Sequence, residues 1–134
     1  MVVPVVVPTY AAILALLFVY LSVRVIQMRT SARIGLGYGS NPAMERRIRV
    51  HGNFAEYVPI ALLLLGFMEM QAHSRYLLHV LCIALIVARI LHAIGVSPVK
   101  ENLRLRIAGV ALTFIVLIVA ALFLLANGLR TGFI

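Results

Sequence analysis

Two long stretches without a charged residue, one at each end of the chain, most constrain how this sequence can fold. Residues 1–23 and 107–129 each hold 23 positions free of Asp, Glu, Lys and Arg. A helix needs about 20 mostly apolar residues to cross the hydrocarbon core of a bilayer. Each stretch is therefore long enough for one transmembrane helix. Between them, residues 50–68 contain one formal charge, Glu56, and residues 76–99 contain one, Arg89.

The pattern predicts an all-α membrane protein, a bundle of four transmembrane helices that forms a single domain over residues 1–134. Of the 134 residues, 63% are hydrophobic and 12% are charged, which would leave a soluble domain with far too much exposed apolar surface. The predicted helices lie at about 6–28, 44–69, 75–95 and 104–127.

Basic residues are distributed very unevenly among the connections between these helices. The formal net charge of +8 is compatible with nucleic-acid binding, but the arginines flank apolar segments, as the positive-inside rule places them. We therefore exclude nucleic acid as a partner. Nine basic residues lie in or beside the first and third connections, and two lie on the other side: Arg24, Arg29, Arg33, Arg46, Arg47, Arg49, Lys100, Arg104 and Arg106 against Arg75 and Arg130. This bias predicts cytoplasmic first and third connections, with both termini on the outside.

The sequence offers no sign of a disulfide or of a metal site. Its single cysteine, Cys82, lies in the middle of an apolar segment, where it is most simply a small packing residue. No group of Cys and His residues has the spacing of metal ligands, so no metal is expected.

The most informative polar feature is a stripe at the start of the second predicted helix. At about 100° per residue, Arg46, Arg49, Asn53 and Glu56 fall within roughly 80° of one face, whereas Arg47 points away. Ionisable residues at membrane depth are energetically costly and usually functional. The stripe is therefore a candidate wall of a ligand-binding site.

Glu56 and Arg89 are expected to be partners. Glu56 follows the cytoplasmic start of the second helix, and Arg89 precedes the cytoplasmic end of the third, so both lie roughly 10 Å below the boundary at 1.5 Å per residue. An unpaired charge at that depth would cost several kcal/mol. The pair either holds two helices together or also contacts a polar ligand, and the residue pattern leaves both open.

Other polar residues extend this region toward the cytoplasm. His92 shares a helix face with Arg89 and is either a hydrogen-bonding wall residue or an interfacial histidine. A group of arginines gathers above Glu56, which is taken here as the one embedded carboxylate: Arg29, Arg33, Arg46, Arg49, Arg104 and Arg106. Such a pocket suits a small anion that also carries an ammonium group. Arginines would clamp its carboxylates, Glu56 would accept from the amine, and Asn53 would both donate and accept.

The helix 2 motif resembles that of the MAPEG family, the membrane-associated proteins in eicosanoid and glutathione metabolism. The resemblance covers nearly the whole chain and rests on Arg46–x–x–Arg49–x–x–x–Asn53–x–x–Glu56–Tyr57–x–Pro59, with Arg89–x–x–His92 in helix 3. Residues 48–53 and 67–70 look most like the small bacterial branch, whose members often lack an assigned activity.

The resemblance implies a homotrimer in the bacterial inner membrane, with a glutathione site between neighbouring subunits that opens to the cytoplasm and the adjacent lipid. It implies glutathione as co-substrate and a hydrophobic small molecule as second substrate. Arg106 would stabilise the thiolate, with Arg104 as the alternative. The remaining site residues matched by the family pattern or by the charge pattern are Arg29, Arg46, Arg49, His51, Asn53, Glu56, Tyr57, Arg89 and His92.

Two departures from the family pattern concern catalysis. Members of known activity often carry a tyrosine where this chain has Val96, and some carry a serine or tyrosine where it has Ile107 or Val110. The function expected from the resemblance is a glutathione transferase or peroxidase. Because of these departures, a non-catalytic lipid- or glutathione-binding protein is the alternative. A small multidrug exporter is disfavoured, because arginines around the carboxylate would repel cationic drugs.

Overall fold

Four α-helices make up the chain in the computed structural model, which describes residues 3–132. Their bounds are Val6–Ala32 (α1), Pro42–Met70 (α2), Arg75–Val96 (α3) and Leu103–Arg130 (α4). All four are long and apolar enough to cross a membrane. The predicted four-helix membrane fold is confirmed.

The helix ends follow from local capping chemistry. Asn41 and Asn102 precede α2 and α4, and their side chains accept hydrogen bonds from Met44 N and Leu105 N, at 3.1 Å and 3.3 Å. Both are strong N-cap residues. α1 continues one turn beyond the predicted end at residue 28, because its last turn contains no helix breaker. It ends where Arg33 adopts a left-handed φ of 55°.

Two glycines allow α3 and α4 to pack at very short range. A Cβ on Gly95 would lie 2.5 Å from Arg106 N, and one on Gly109 would lie 2.6 Å from His92 N. Small residues at such a crossing let two transmembrane backbones approach closely. The contact also sets the register of the two helices, and it brings His92 and Arg106 to the same end of the bundle.

α2 is the central element of the bundle. It packs against the other three helices, whereas α1 contacts α2 and α3 but does not reach α4 within residues 3–132. The buried core runs the length of α2 and contains apolar side chains from every helix, such as Leu14, Leu65, Leu85 and Val116. We call the end where α2 and α4 begin, and where α1 and α3 finish, the basic end.

At the opposite end, Glu69 ties the start of α1 to the end of α2. Its carboxylate accepts hydrogen bonds from the backbone N–H groups of Val5, Val6 and Val7, at 2.6–2.8 Å. The first N–H groups of a helix have no partner within the helix, and a carboxylate there is favoured by the helix dipole. Glu69 is buried, so α2 carries a second carboxylate that is removed from solvent, which the sequence analysis did not anticipate.

Candidate ligand-binding site

A polar cavity of about 200 Å³ opens at the basic end of the bundle, between α2, α3 and α4. The first two turns of α2 supply its charged wall, the last two turns of α3 supply its floor, and the start of α4 closes it. Its lining residues are Glu45, Arg46, Arg49, Asn53, His92, Val96, Arg106 and Val110.

Five of the predicted site residues line this cavity, and they come from three helices: Arg46, Arg49, Asn53, His92 and Arg106. The α2 members come from the polar stripe, whose spacing of three and four residues places them on one face. The glycine contacts between α3 and α4 position the other two. Arg104 lies outside the lining, so of the two helix 4 arginines it is Arg106 that faces the cavity.

The predicted pairing of Glu56 with Arg89 is wrong. Glu56 accepts from Arg49 on its own helix, with distances of 3.1 Å and 3.5 Å. Arg89 instead points between the helices, where it is 2% exposed. It donates to Asn53 Oδ1 at 2.8 Å, to the Thr113 hydroxyl, and to a backbone carbonyl of α4 at 3.3 Å. Two residues expected at the same depth on neighbouring helices need not point toward each other. In addition, α4 provides hydrogen-bond acceptors for Arg89 that the sequence pattern did not reveal.

This arrangement changes the role expected of Asn53. Its amide oxygen is used by Arg89, so its Nδ2 group remains for a ligand. Asn53 therefore presents a donor to the cavity, where the sequence analysis expected a donor and an acceptor. A donor at this position favours a carboxylate or another acceptor group of the ligand.

His51 lies away from the cavity, against α1. Its Nε2 is 3.0 Å from the Ser22 hydroxyl, and its ring stacks on Phe18 with centroids 4.7 Å apart. The Ser22 hydroxyl also donates to the carbonyl of Phe18 on its own helix. Within one chain, His51 joins α1 to α2.

Three further predicted residues also lie outside the cavity lining. Arg29 donates to the carbonyl of Gly37 at 2.9 Å and so organises the first connection. Tyr57 packs against Phe114 of α4 with ring centroids 5.6 Å apart. Glu56, with its side chain 49% exposed, lies on the outer face of α2.

Residues 7–126 match the family model described as the MAPEG family. The chain belongs to the MAPEG family. Among curated relatives, the inner membrane protein YecN of Escherichia coli strain K12 is 34% identical over 113 residues, which cover 84% of this chain and 85% of the relative. The inner membrane protein YecN of Escherichia coli O6:H1 strain CFT073 matches with the same identity and coverage. The resemblance drawn from the helix 2 motif is confirmed.

Two of the three positions at which this MAPEG chain departs from the family pattern line the cavity, and the third, Ile107, does not. Val96 and Val110, which replace hydroxyl-bearing residues of some members, both line it. None of the eight described lining residues carries a hydroxyl group. The polar chemistry of the site therefore comes from charged side chains, Asn53 and His92, next to an apolar patch that spans α3 and α4.

Glu101 is a site residue that the sequence analysis missed. It lies in the connection between α3 and α4, and its Oε2 accepts from Arg46 Nη1 and from Arg106 Nη1, both at 2.8 Å. The hydrogen bonds from Arg46 and then Arg106 hold the pKa of the Glu101 carboxyl below its usual value. The connection looked polar and solvated in sequence, and nothing in its local pattern pointed to the two arginines.

Glu45 is a second residue that was missed. Its carboxylate lines the cavity and forms no salt bridge with any residue in the described part of the chain. In sequence, it reads as an ordinary acidic residue in the first turn of α2, where the helix dipole favours it. The position immediately before Arg46, at the start of the polar stripe, was the available signal.

The site is thus less positive than the crowd of arginines suggested. The three arginines of the cavity are set against Glu45 in the lining and against Glu56 and Glu101, which form ion pairs with them. Such a mixture of charges favours a ligand that carries both signs of charge.

Proposed function

We propose that this MAPEG protein binds glutathione in the cavity at its basic end and activates the thiol for attack on lipophilic electrophiles or hydroperoxides. The observation that carries the proposal is the lining itself. Arg46, Arg49 and Arg106 converge on one small space. Asn53 and Glu45 line the same space, and neither the Asn53 Nδ2 nor the Glu45 carboxylate has a side-chain partner among residues 3–132.

The charges of glutathione fit this lining. At neutral pH, the tripeptide carries two carboxylates and one ammonium group. Guanidinium groups bind carboxylates in bidentate fashion, and an amide N–H adds a further donor. Glu45 lines the cavity, and its carboxylate forms no ion pair with an arginine within residues 3–132. It is therefore the acceptor we assign to the ammonium group, a role that the sequence analysis assigned to Glu56.

Arg106 is the residue we assign to the thiol. A free thiol has a pKa near 8.5, so it is only a few per cent thiolate at neutral pH. A guanidinium beside the sulfur favours the anion, and each unit of pKa change corresponds to about 1.4 kcal/mol. The thiolate would form a bond to the electrophilic atom of the substrate while the leaving group departs with its electron pair. Val96 and Val110 supply an apolar surface beside Arg106 for such a substrate.

We further propose that the chain assembles as a homotrimer. The side chains of Arg49 and Glu56 are 62% and 49% exposed, on a helix that crosses the membrane. An ion pair that faced lipid at this depth would be strongly unfavourable. Neighbouring copies that cover this face of α2 would shield the pair and complete the wall of the cavity, so that Glu56 could still reach a bound ligand.

The uneven distribution of basic residues supports a cytoplasmic position for the cavity, with both termini in the periplasm of a bacterial inner membrane. Cytoplasmic access suits a water-soluble thiol, and the open sides of the bundle suit a second substrate that arrives through the lipid. The inner-membrane relative supports this location.

The test is an Arg106→Ala variant in purified, lipid-reconstituted protein, with Arg104→Ala as the matched control outside the cavity. We expect Arg106→Ala to lower conjugation of 1-chloro-2,4-dinitrobenzene at least tenfold, and by a larger factor than it weakens glutathione binding, while Arg104→Ala stays close to the unmodified protein. Calorimetry measures binding and absorbance measures conjugation. Absence of glutathione binding at millimolar concentration would refute the proposal.

A non-catalytic binding protein on the same scaffold is the second candidate function. The valines at positions 96 and 110 favour it, because they provide no hydroxyl group near the thiol. With Val96 and Val110 in the lining, one arginine alone stabilises the thiolate. In that case, glutathione or a lipid would bind at the cavity without turnover. A panel of electrophiles and hydroperoxides separates the two functions, since only the enzyme converts any of them.

A further inference from the structure

The connection between α3 and α4 brings a carboxylate of the chain itself to the two cavity arginines. A single oxygen of Glu101 accepts from both Arg46 and Arg106, at 2.8 Å each. This is the geometry in which a carboxylate of a ligand would bind the same guanidinium groups. A ligand carboxylate and Glu101 cannot both use these donors fully.

We propose that Glu101 is a built-in competitor of the ligand, and that a carboxylate of the ligand displaces it from Arg46 and Arg106 on binding. This inference rests on the proposed function, because it concerns the same anion site. In this proposal, Glu101 lowers the affinity of the cavity for its ligand. The opposite role, a support that holds both arginines in place for the ligand, predicts the opposite sign in every measurement below.

The connection is built so that the Glu101 side chain can leave without the backbone moving. Asn102 N donates to the carbonyl of Gly95 at 2.9 Å, and the Asn102 side chain caps α4. The neighbouring backbone is therefore anchored at both helices. The side chain of Glu101 is 27% exposed and projects from this anchored backbone. Release then needs a rotation about side-chain bonds, which takes picoseconds to nanoseconds for partly exposed residues.

Removal of the competitor strengthens anion binding. Partly exposed ion pairs are weak, so we expect the Glu101→Gln variant to bind anions roughly three- to tenfold more tightly. Glu45→Gln is the matched control. It removes the same charge from the same cavity, but Glu45 bonds to neither arginine, so it reports the general electrostatic effect.

The experiment follows modification of Arg106 by phenylglyoxal, quantified by mass spectrometry of the full chain in lipid nanodiscs. Glutarate and glutathione serve as protecting anions at constant ionic strength. Glutarate is a dicarboxylate without a thiol or an ammonium group, so it tests the anion site independently of glutathione. In Glu101→Gln, we expect faster modification without added anion, and half-protecting concentrations of both anions that fall three- to tenfold. In Glu45→Gln, we expect the half-protecting concentration of glutarate to change less than twofold.

Each outcome decides the question. Unchanged or weaker protection by glutarate in Glu101→Gln overturns the proposal and makes Glu101 a support. An equal shift in Glu45→Gln also overturns it. If glutarate protection shifts as expected but glutathione does not protect, Glu101 is a competitor and the proposed function fails. If neither anion protects Arg106, both proposals fail. Should Glu101→Gln not fold, Glu101→Asp keeps the charge but is too short to reach both arginines, and an unchanged glutarate concentration there overturns the proposal.

Discussion

Replacement of Gly109 by alanine is expected to force α3 and α4 apart, because the added Cβ would meet the backbone of the neighbouring helix. It would lie 2.6 Å from His92 N and 2.7 Å from the carbonyl oxygen of Ala88. Ordinary contact begins at 3.4 Å, so the shortfall at His92 is the difference between 3.4 Å and 2.6 Å, or 0.8 Å. Neither atom belongs to a side chain that could rotate away.

Two opposing contributions set the size of the effect. Overpacking of a close-packed interior costs about 1–3 kcal/mol, and a clash between rigid backbones belongs at the upper end of that range. Alanine is favoured over glycine inside a helix by about 1 kcal/mol. We therefore expect a net loss of about 1–2 kcal/mol of stability in Gly109→Ala. The loss of register would also weaken glutathione binding, because Gly109 accepts from Arg89 and lies against His92.

Gly128→Ala is the matched control for this variant. Gly128 lies on the same helix, but a Cβ there would meet nothing within 4 Å, so only the propensity gain applies. The two variants are expected to differ by about 2–3 kcal/mol. Thermal unfolding in one detergent, read by circular dichroism, compares them directly. Equal midpoints for Gly109→Ala and Gly128→Ala would refute the close-packing explanation of the α3–α4 register.

Two further predictions concern the buried carboxylate of Glu69 and the pH response of the Glu101 ion pairs. Glu69→Gln should lower stability by about 1–3 kcal/mol, because an amide N–H would face the N–H groups at the start of α1. Amide hydrogen exchange of Val5–Val7 should accelerate, and unchanged protection there would contradict the capping role. The Glu101 ion pairs depress the folded-state pKa of that carboxyl, so their contribution is present above its ordinary value of 4.5 and is lost as the pH falls through the lowered pKa. The unfolding midpoints of the unmodified protein and Glu101→Gln should therefore converge below pH 4.5, and a constant separation at all pH values would argue against these pairs.

Some features of the cavity could be predicted from the sequence, whereas others depend on how the helices pack. The polar stripe of α2 was visible because Arg46, Arg49 and Asn53 are separated by three and four residues, and a helix places such residues on one face whatever else surrounds it. His92 was a candidate because it shares a helix face with Arg89, and Arg106 because it belongs to the group of arginines near Glu56; the family pattern then gave each a role. Their meeting with the α2 stripe depends on the glycine contacts between α3 and α4.

The corrections share one physical cause. Helix spacing predicted similar depths for Arg89 and Glu56, yet Arg89 turns toward Asn53 and Thr113 and Glu56 turns outward to Arg49. A long side chain can reach hydrogen-bond acceptors on several helices, and the packing of the helices determines which acceptors lie within its reach. The hydrogen-bonding partner of His51, Ser22, likewise lies on another helix.

The sequence alone determined that this chain spans a membrane with four helices. The length and apolarity of each segment are local properties, and they decide whether a helix can cross the hydrocarbon core of a bilayer. It also determined which face of α2 is polar. Only the tertiary structure decided how the charges pair, with Glu101 on Arg46 and Arg106 and Glu69 on the first turn of α1. Arg46 lies 55 residues from Glu101, and the start of α1 lies 62 to 64 residues from Glu69. Helix packing brings these partners within hydrogen-bonding distance, and no local pattern in the sequence could do so.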